Sequence, residues 1–298
     1  MIQESLLALF LASQTSAPPY WPNNRKPSLQ QIFLQQEDST TPNKVNKAKE
    51  KEVKKSNRPS IPILNYHWVV PETHKMAFKR YFQTESEFRN TIKNMKKKGY
   101  NFITVSELEK IISGYDSTEA DTTKYALLTF DDGLECFYKY AYPALLEEKV
   151  KATLFIVNSC IEDSVSGAYL SWRQIKEMYE SGLIDVQSHS YNSHAIKGNK
   201  SIITTMSTKE DSTEYMLRVF ADLLKSKWEI EEHIGNKVIA IAWPFGLSND
   251  VVRWVASVAG YKLYFTVNGE KFRLGGNYKD LPRIEVNKDN NYNPQKGL

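Results

Sequence analysis

Two cysteines in 298 residues are too few for a disulfide framework or a four-cysteine zinc site. No uninterrupted apolar run approaches the roughly 18–20 residues that span a bilayer, which excludes a conventional transmembrane helix. Net charge is scarce in the main body. The total is +4, and residues 1–60 hold nine basic and five acidic side chains, which leaves 30 of each in residues 61–298. A neutral body lacks the strongly basic footprint of a dedicated nucleic-acid-binding domain, so no nucleic-acid partner is expected. Histidine is also rare, with five in the chain, and there is no internal repeat. What remains is ordinary globular material: 41% hydrophobic, 25% charged and 12% aromatic residues, enough to fill a core.

The composition divides the chain at about residue 58. Leu6 to Ala12 is a seven-residue apolar stretch that resembles the core of a secretory signal, although no Lys or Arg precedes it. An ordinary short hydrophobic segment is the other reading. From Ser13 to Pro59 the residues are mostly Gln, Asn, Ser, Thr, Pro and Lys, with Lys44, Lys47, Lys49, Lys51, Lys54, Lys55 and Arg58 clustered. Such a segment buries too little apolar surface to repay its ordering entropy, so residues 1–58 are expected to be an apolar segment plus a disordered basic linker. The cluster could lean on an anionic membrane or cell wall, or be a solvated tether. Residues 59–298 are expected to form the folded domain, as a monomer.

From Ile61 onward, short apolar runs of strand length recur: Ile61–Tyr66, Tyr125–Phe130, Ala152–Val157, Ile184–Gln187, Val238–Trp243, Lys262–Val267 and Arg283–Val286. Helical segments separate them. Thr84 and Glu87 form a capping-box pattern with Gly99 as the stop, and Ser171 and Gln174 open another helix ending near Gly182. Longer helical patterns run from about Thr208 to His233 and from Asn249 to Ala259. Strands alternating with helices imply a parallel sheet, and about 240 residues in one unit fit a distorted or incomplete (β/α) barrel. Chemistry in that architecture belongs at the C-terminal ends of the strands.

Three strand ends carry reactive residues. Thr129-Phe130-Asp131-Asp132-Gly133 delivers two adjacent carboxylates, which should face different environments because consecutive strand residues point to opposite sides. One can bind a metal while the other stays free as a base; a turn or helix cap is the plainer reading. Ile184–Ser188 leads to His189 and His194, close enough in sequence for one loop to fold both imidazoles onto a cation. Two histidines and one carboxylate are the ligand set of a catalytic zinc site, or of iron, cobalt or nickel. His67 closes Ile63–Tyr66 and could be a third nitrogen ligand, a general acid or a structural residue. His74 and His233 lack a strand-end setting and read as surface residues. Trp243-Pro244-Phe245-Gly246 could wall an apolar groove or be a rigid turn, and Arg283 could pair with a carboxylate or be a surface charge.

This set of motifs resembles the polysaccharide deacetylases, the family 4 carbohydrate esterases that share the NodB-homology fold, over about Ile61 to Val286. The resemblance assigns Asp131 as base, Asp132, His189 and His194 as ligands of one divalent ion, zinc first among them, and a backbone N–H near Phe245 as oxyanion donor. Four residues separate His189 from His194 where the common motif has three. That spacing, with the Tyr66-His67 strand end, resembles the poly-β-1,6-N-acetyl-D-glucosamine N-deacetylases, a biofilm-matrix branch that looks circularly permuted relative to the peptidoglycan deacetylases. Permutation would make His67 the general acid, in keeping with the absence of any histidine after His233. The arginine usual before the Trp-Pro motif is missing, since Ala242 stands there, and Arg283 is the candidate to orient Asp131. Trp68, Tyr191, Trp243 and Phe245 are candidate sugar-stacking residues.

The resemblance implies a secreted or surface-bound hydrolase that releases acetate from an N-acetylglucosamine polysaccharide. The alternatives are a peptidoglycan or chitooligosaccharide deacetylase, or a non-catalytic polysaccharide-binding protein of the same fold. A two-metal phosphoesterase fits less well, for want of further carboxylates. Cys136 and Cys160 each follow a strand and are expected to be free thiols.

Overall fold

A computed structural model of the chain describes residues 59–74, 81–115, 123–162 and 167–286; the readings for residues 1–58 lie outside the described residues. Eight parallel strands form one sheet: β1 (Ile63–Tyr66), β2 (Asn101–Ile103), β3 (Tyr125–Phe130), β4 (Ala152–Ile156), β5 (Ile184–Ser188), β6 (Ala240–Ala242), β7 (Leu263–Phe265) and β8 (Ile284–Glu285). The helices are α1 (Glu85–Lys97), α2 (Val105–Ser113), α3 (Tyr142–Glu148), α4 (Trp172–Glu180), α5 (Ser212–Ile234) and α6 (Asp250–Val258).

The spatial order is β7-β6-β5-β4-β3-β1-β8, with β2 beside the lower half of β3. The sheet curls until its ends meet. Leu281, just before β8, donates to Tyr264 O at 2.7 Å and accepts from Thr266 N at 2.9 Å, forming a parallel bridge with Phe265 of β7. The expected (β/α) barrel is therefore present, with irregular closure at the seam between the first and last parts of the chain.

The sequence pattern explains most of these elements. Thr84, Ser171 and Asp211 cap α1, α4 and α5, each in a full capping box. The expected Val238–Trp243 strand shrinks to Ala240–Ala242 because the N–H groups of Ile239 and Ala240 donate to the Gln187 side chain instead of a ladder. Pro62 divides the first run, so Ser60–Ile61 pairs separately and antiparallel with Phe272–Arg273. Strand β2 and helix α2 were not anticipated: β2 is three residues long and begins on an exposed Asn, and the capping box Thr104/Glu107 follows it directly.

Strand alternation decides what points at the barrel interior. In β3, Ala126, Leu128 and Phe130 join the core beneath the helices, whereas Leu127 packs with Ile63, Phe155, Ala242 and Phe265 in the inner core. Continuing that inner face upward gives Thr129 and then Asp131, while on β1 Ile63 is followed by Asn65. The inside of the barrel thus turns from apolar to polar toward the strand C-termini. Replacing the Asp211 cap, whose carboxylate accepts from Thr213 N and Glu214 N, with Ala should cost about 1 kcal/mol of stability in urea denaturation, with turnover unchanged.

Candidate active site

Asp131 is nearly inaccessible, and Arg283 is completely so. The guanidinium meets the carboxylate with both arms, Nη1 to Oδ1 and Nη2 to Oδ2, each at 2.7 Å. Arg283 is held in turn: Nη1 also donates to Asn65 Oδ1 at 3.0 Å and Thr129 Oγ1 at 3.3 Å, and Nε donates to Thr266 O at 3.1 Å. Its carbon lies 5.6 Å from the centre of the Phe155 ring. Burial by itself would raise the Asp131 pKa, but the Arg283 charge and its hydrogen bonds outweigh it and hold the carboxyl well below the usual range. Of the two readings of Arg283, the structure has the carboxylate partner and not the surface charge; the residue is buried at the barrel seam with its side chain turned inward.

Asp132 faces elsewhere. The strand ends at Phe130, and Asp132 adopts φ +73°, a conformation Asp tolerates better than most residues. Gly133 follows with φ +76°, and a Cβ there would come 2.9 Å from Ile161 Cδ1, so the turn needs glycine. The turn delivers Asp132 Oδ1 to 3.6 Å from both His189 Nε2 and His194 Nε2. That distance is too long for a hydrogen bond, and Asp132 Oδ1 is buried with no hydrogen-bond partner. The three donor atoms lie within 4.8 Å of one another. Ligands about 2.1 Å from a tetrahedral ion would stand about 3.4 Å apart, so the spacing fits one cation with an open position.

The histidines are prepared for that role. His189 Nδ1 lies 2.7 Å from Ala242 O, which makes Nδ1 the protonated nitrogen and turns the Nε2 lone pair toward Asp132 and His194. Burial, opposed by Asp131 and Asp132 and assisted by His194, pushes the His189 imidazole down to about 4, so it is neutral near pH 7. His194 is half-buried and stacks on Phe245, ring centres 4.4 Å apart.

His67 emerges beside Asp131, since Tyr66 pairs with Phe130 and Asp131 N donates to Tyr66 O at 3.0 Å. Its Nδ1 is buried without a hydrogen bond, and its ring packs edge-on against Tyr81. Phe245 is 41% exposed at φ +59°, next to Gly246, where a Cβ would lie 2.3 Å from Val267 Cγ2. Trp68 is half-buried on a groove with Pro71, Glu135 and Tyr140, and Tyr191 is half-buried with Lys225 Nζ 3.7 Å above its ring. Trp243 corrects an expectation: it is 0% exposed, packed edge-on against Tyr264, and has no face to offer a sugar. Cys136 and Cys160 are free thiols, and His74 and His233 are exposed. Sequence reasoning missed Asn65 and Thr129, whose signal was a polar residue on the inward face of an otherwise apolar strand.

The curled parallel sheet thus carries two histidines, one open carboxylate and one sequestered carboxylate together at its strand mouths. Residues 118–264 match the model of the polysaccharide deacetylase family. Among the chain's relatives is the poly-β-1,6-N-acetyl-D-glucosamine N-deacetylase of Staphylococcus aureus, 28% identical over 243 residues that cover 77% of this chain and 80% of the relative. The enzyme of the same name from Staphylococcus epidermidis is 28% identical over 248 residues, 79% and 82% of the two chains. Similar solved structures are IcaB from Ammonifex degensii (TM-score 0.68, 26% identity, 78% of this chain and 94% of that one) and the Streptococcus pyogenes deacetylase PplD in complex with acetate (TM-score 0.65, 28% identity, 77% and 93%).

Replacing Arg283 with Met should cost about 3–5 kcal/mol near pH 8, because it strands a buried carboxylate. Wild-type Asp131, with its depressed pKa, stabilises the fold at every pH above about 4 and loses that contribution on further acidification. In the variant, burial raises the Asp131 pKa, so protonation relieves the penalty. Urea denaturation of chelator-treated protein should therefore show the gap between the two narrowing from pH 8 to pH 5; an equal gap at both would contradict the pairing.

Proposed function

We propose that this protein removes acetyl groups hydrolytically from an N-acetylglucosamine polymer, poly-β-1,6-N-acetyl-D-glucosamine, in a metal-dependent reaction outside the cytoplasm. The observation that carries this reading is the convergence of Asp132, His189 and His194 beside a separately neutralised Asp131. Asp132, His189 and His194 would hold a divalent ion, zinc in our reading, and it would supply Lewis-acid chemistry toward the amide carbonyl and the attacking water.

The protein's own groups do the rest. Asp131 takes the proton of the water that attacks the carbonyl carbon. Its low pKa makes it a weak base, so its contribution is position, fixed by the two-armed Arg283 contact. The ring of Phe245 stacks on His194, and we assign a backbone N–H of its turn as the oxyanion donor. His67 gives a proton to the departing nitrogen, which would otherwise leave as an amide anion. The C–N bond breaks, acetate leaves with the new C–O bond, and the sugar keeps an amine. Trp68, Tyr191 and Phe245 are the aromatic surfaces we assign to the sugar chain.

Three facts support the β-1,6 linkage over a peptidoglycan or chitin substrate: the four-residue spacing between His189 and His194, the Tyr66-His67 strand end, and the names of the two staphylococcal relatives. An extracytoplasmic location follows from a polymeric substrate of that kind; no helix among the described residues is long and apolar enough to cross a membrane. Intact candidate acid, base and ligand residues weigh against a binding-only role.

Acetate release from β-1,6-linked oligomers should exceed that from β-1,4-linked ones, stop with chelator and return with zinc or cobalt. Asp131→Asn and His67→Ala should each lose about a hundredfold or more. Full turnover in His67→Ala would remove the general acid and leave the metal site standing, whereas chelator-insensitive release would remove the metal reading itself.

A further inference from the structure

We propose that Asp222, on helix α5, is the positioning residue that sets the separation of the two histidine ligands; this rests on the metal reading given above. His189 and His194 are joined by a short loop, and every backbone N–H from 189 to 193 has an acceptor. His189 N donates to Ile156 O at 2.8 Å, Ser190 N to Ser188 Oγ at 3.2 Å and Ser193 N to Ser190 Oγ at 3.1 Å. These partners are local or belong to the neighbouring strand. The middle two are different: Tyr191 N donates to Asp222 Oδ1 at 3.1 Å and Asn192 N to Asp222 Oδ2 at 2.8 Å. One carboxylate from a distant helix thus fixes the two peptide groups halfway between the ligands.

The rest of the same helix face secures that contact. Asp222, Lys225, Ser226 and Glu229 stand at helical spacings of three, four and seven. Lys225 covers the Tyr191 ring at 3.7 Å. Ser226 Oγ lies 2.7 Å from both Ser188 Oγ and Asn158 Oδ1, and Asn158 Nδ2 donates to Glu229 Oε2 at 3.1 Å. Asn158 N and Ser159 N then donate to Ser190 O and Tyr191 O, holding the loop's carbonyls as Asp222 holds its amides. The loop needs such support because it starts from Ser190 at φ +94°, a conformation costly for serine. Asp222 touches neither imidazole; it acts on the geometry of the pair through the loop. Without it, two amides lose their acceptor and the loop can relax, moving His194 away from Asp132 Oδ1.

Zinc affinity of the full-length chain, measured by competition with a chromophoric chelator, tests this together with the visible spectrum of the cobalt form. Asp222→Ala should bind zinc about 10–100-fold more weakly, the usual loss when a group supporting a ligand is removed, and the cobalt bands should shift. Asp222→Asn, which keeps one acceptor oxygen, should fall between it and the wild type. Asp185→Asn is the control: it alters a buried carboxylate of β5 that accepts from Ser106 N and Oγ, and it should bind zinc like the wild type. Affinity within about twofold of wild type in Asp222→Ala, or an equal loss in Asp185→Asn, would overturn the proposal. Should Asp222→Ala fail to fold, Asp222→Asn decides by the same twofold limit. Undiminished binding in His194→Ala is a separate result that would overturn the metal reading instead.

Discussion

The buried pair of Arg283 and Asp131 is the interaction on which the rest of the site depends. It joins residues 152 positions apart across the seam where the sheet closes. Arg283 precedes β8, which pairs with β1, while its Nε reaches the carbonyl of Thr266 just beyond β7. The same guanidinium therefore ties together both sides of the seam and the first acidic residue of the turn after β3. A buried ion pair is rarely a net source of stability against an apolar substitute. Its value here is specificity: it keeps a carboxylate ionised and immobile inside the barrel, where an unpaired one would take up a proton.

That pairing separates the duties of two neighbouring residues. Asp131 continues the inward face of β3 above Leu127 and Thr129 and finds a fixed cation. Asp132 comes after the strand has ended, turns through a left-handed conformation and finds two imidazole nitrogens, each 3.6 Å from its Oδ1. One carboxylate is satisfied and the other is left needing a cation. Adjacent, chemically identical side chains thus acquire different chemistry from backbone geometry alone.

Much of this was legible in the residues. The capping boxes at Thr84 and Ser171 and the apolar run at Tyr125–Phe130 read directly as elements, because local hydrogen bonding and a fully buried strand leave local marks. The Asp131-Asp132 and His189-His194 pairs were legible as strand-end chemistry. Their convergence on one ion was expected from the pattern and the resemblance, but the distances were not legible, since they depend on β3, β4 and β5 being parallel and in register. Arg283 was ambiguous because nothing near it in sequence says whether its strand faces solvent or the seam. Trp243 misled for the opposite reason: an aromatic beside a Pro-Phe-Gly turn looks like a groove wall, yet its fate was set by Tyr264 on the neighbouring strand. Asp222 was invisible, as one acid among the many on a long amphipathic helix; its meaning lies in two amides thirty residues away. The family match at 118–264 spans the central strands but includes neither His67 nor Arg283. Those two come from the chain regions that meet only when the barrel closes.

The distribution of charge also bears on whether the site exists before an ion arrives. Many small metal sites fold only with their ion, because clustered ligands repel or lie in segments with no other reason to order. Here the most deeply buried negative charge, Asp131, is neutralised by Arg283. His189 is held neutral by burial and oriented by the Ala242 carbonyl, and the loop to His194 is fastened by Asp222. Asp132, by contrast, has no Lys or Arg side chain paired with it among the described residues, and its side chain is more exposed than that of Asp131. The fold itself therefore supplies the ordering of the ligands, and an entering cation meets a preformed set of donors with one strained carboxylate to satisfy.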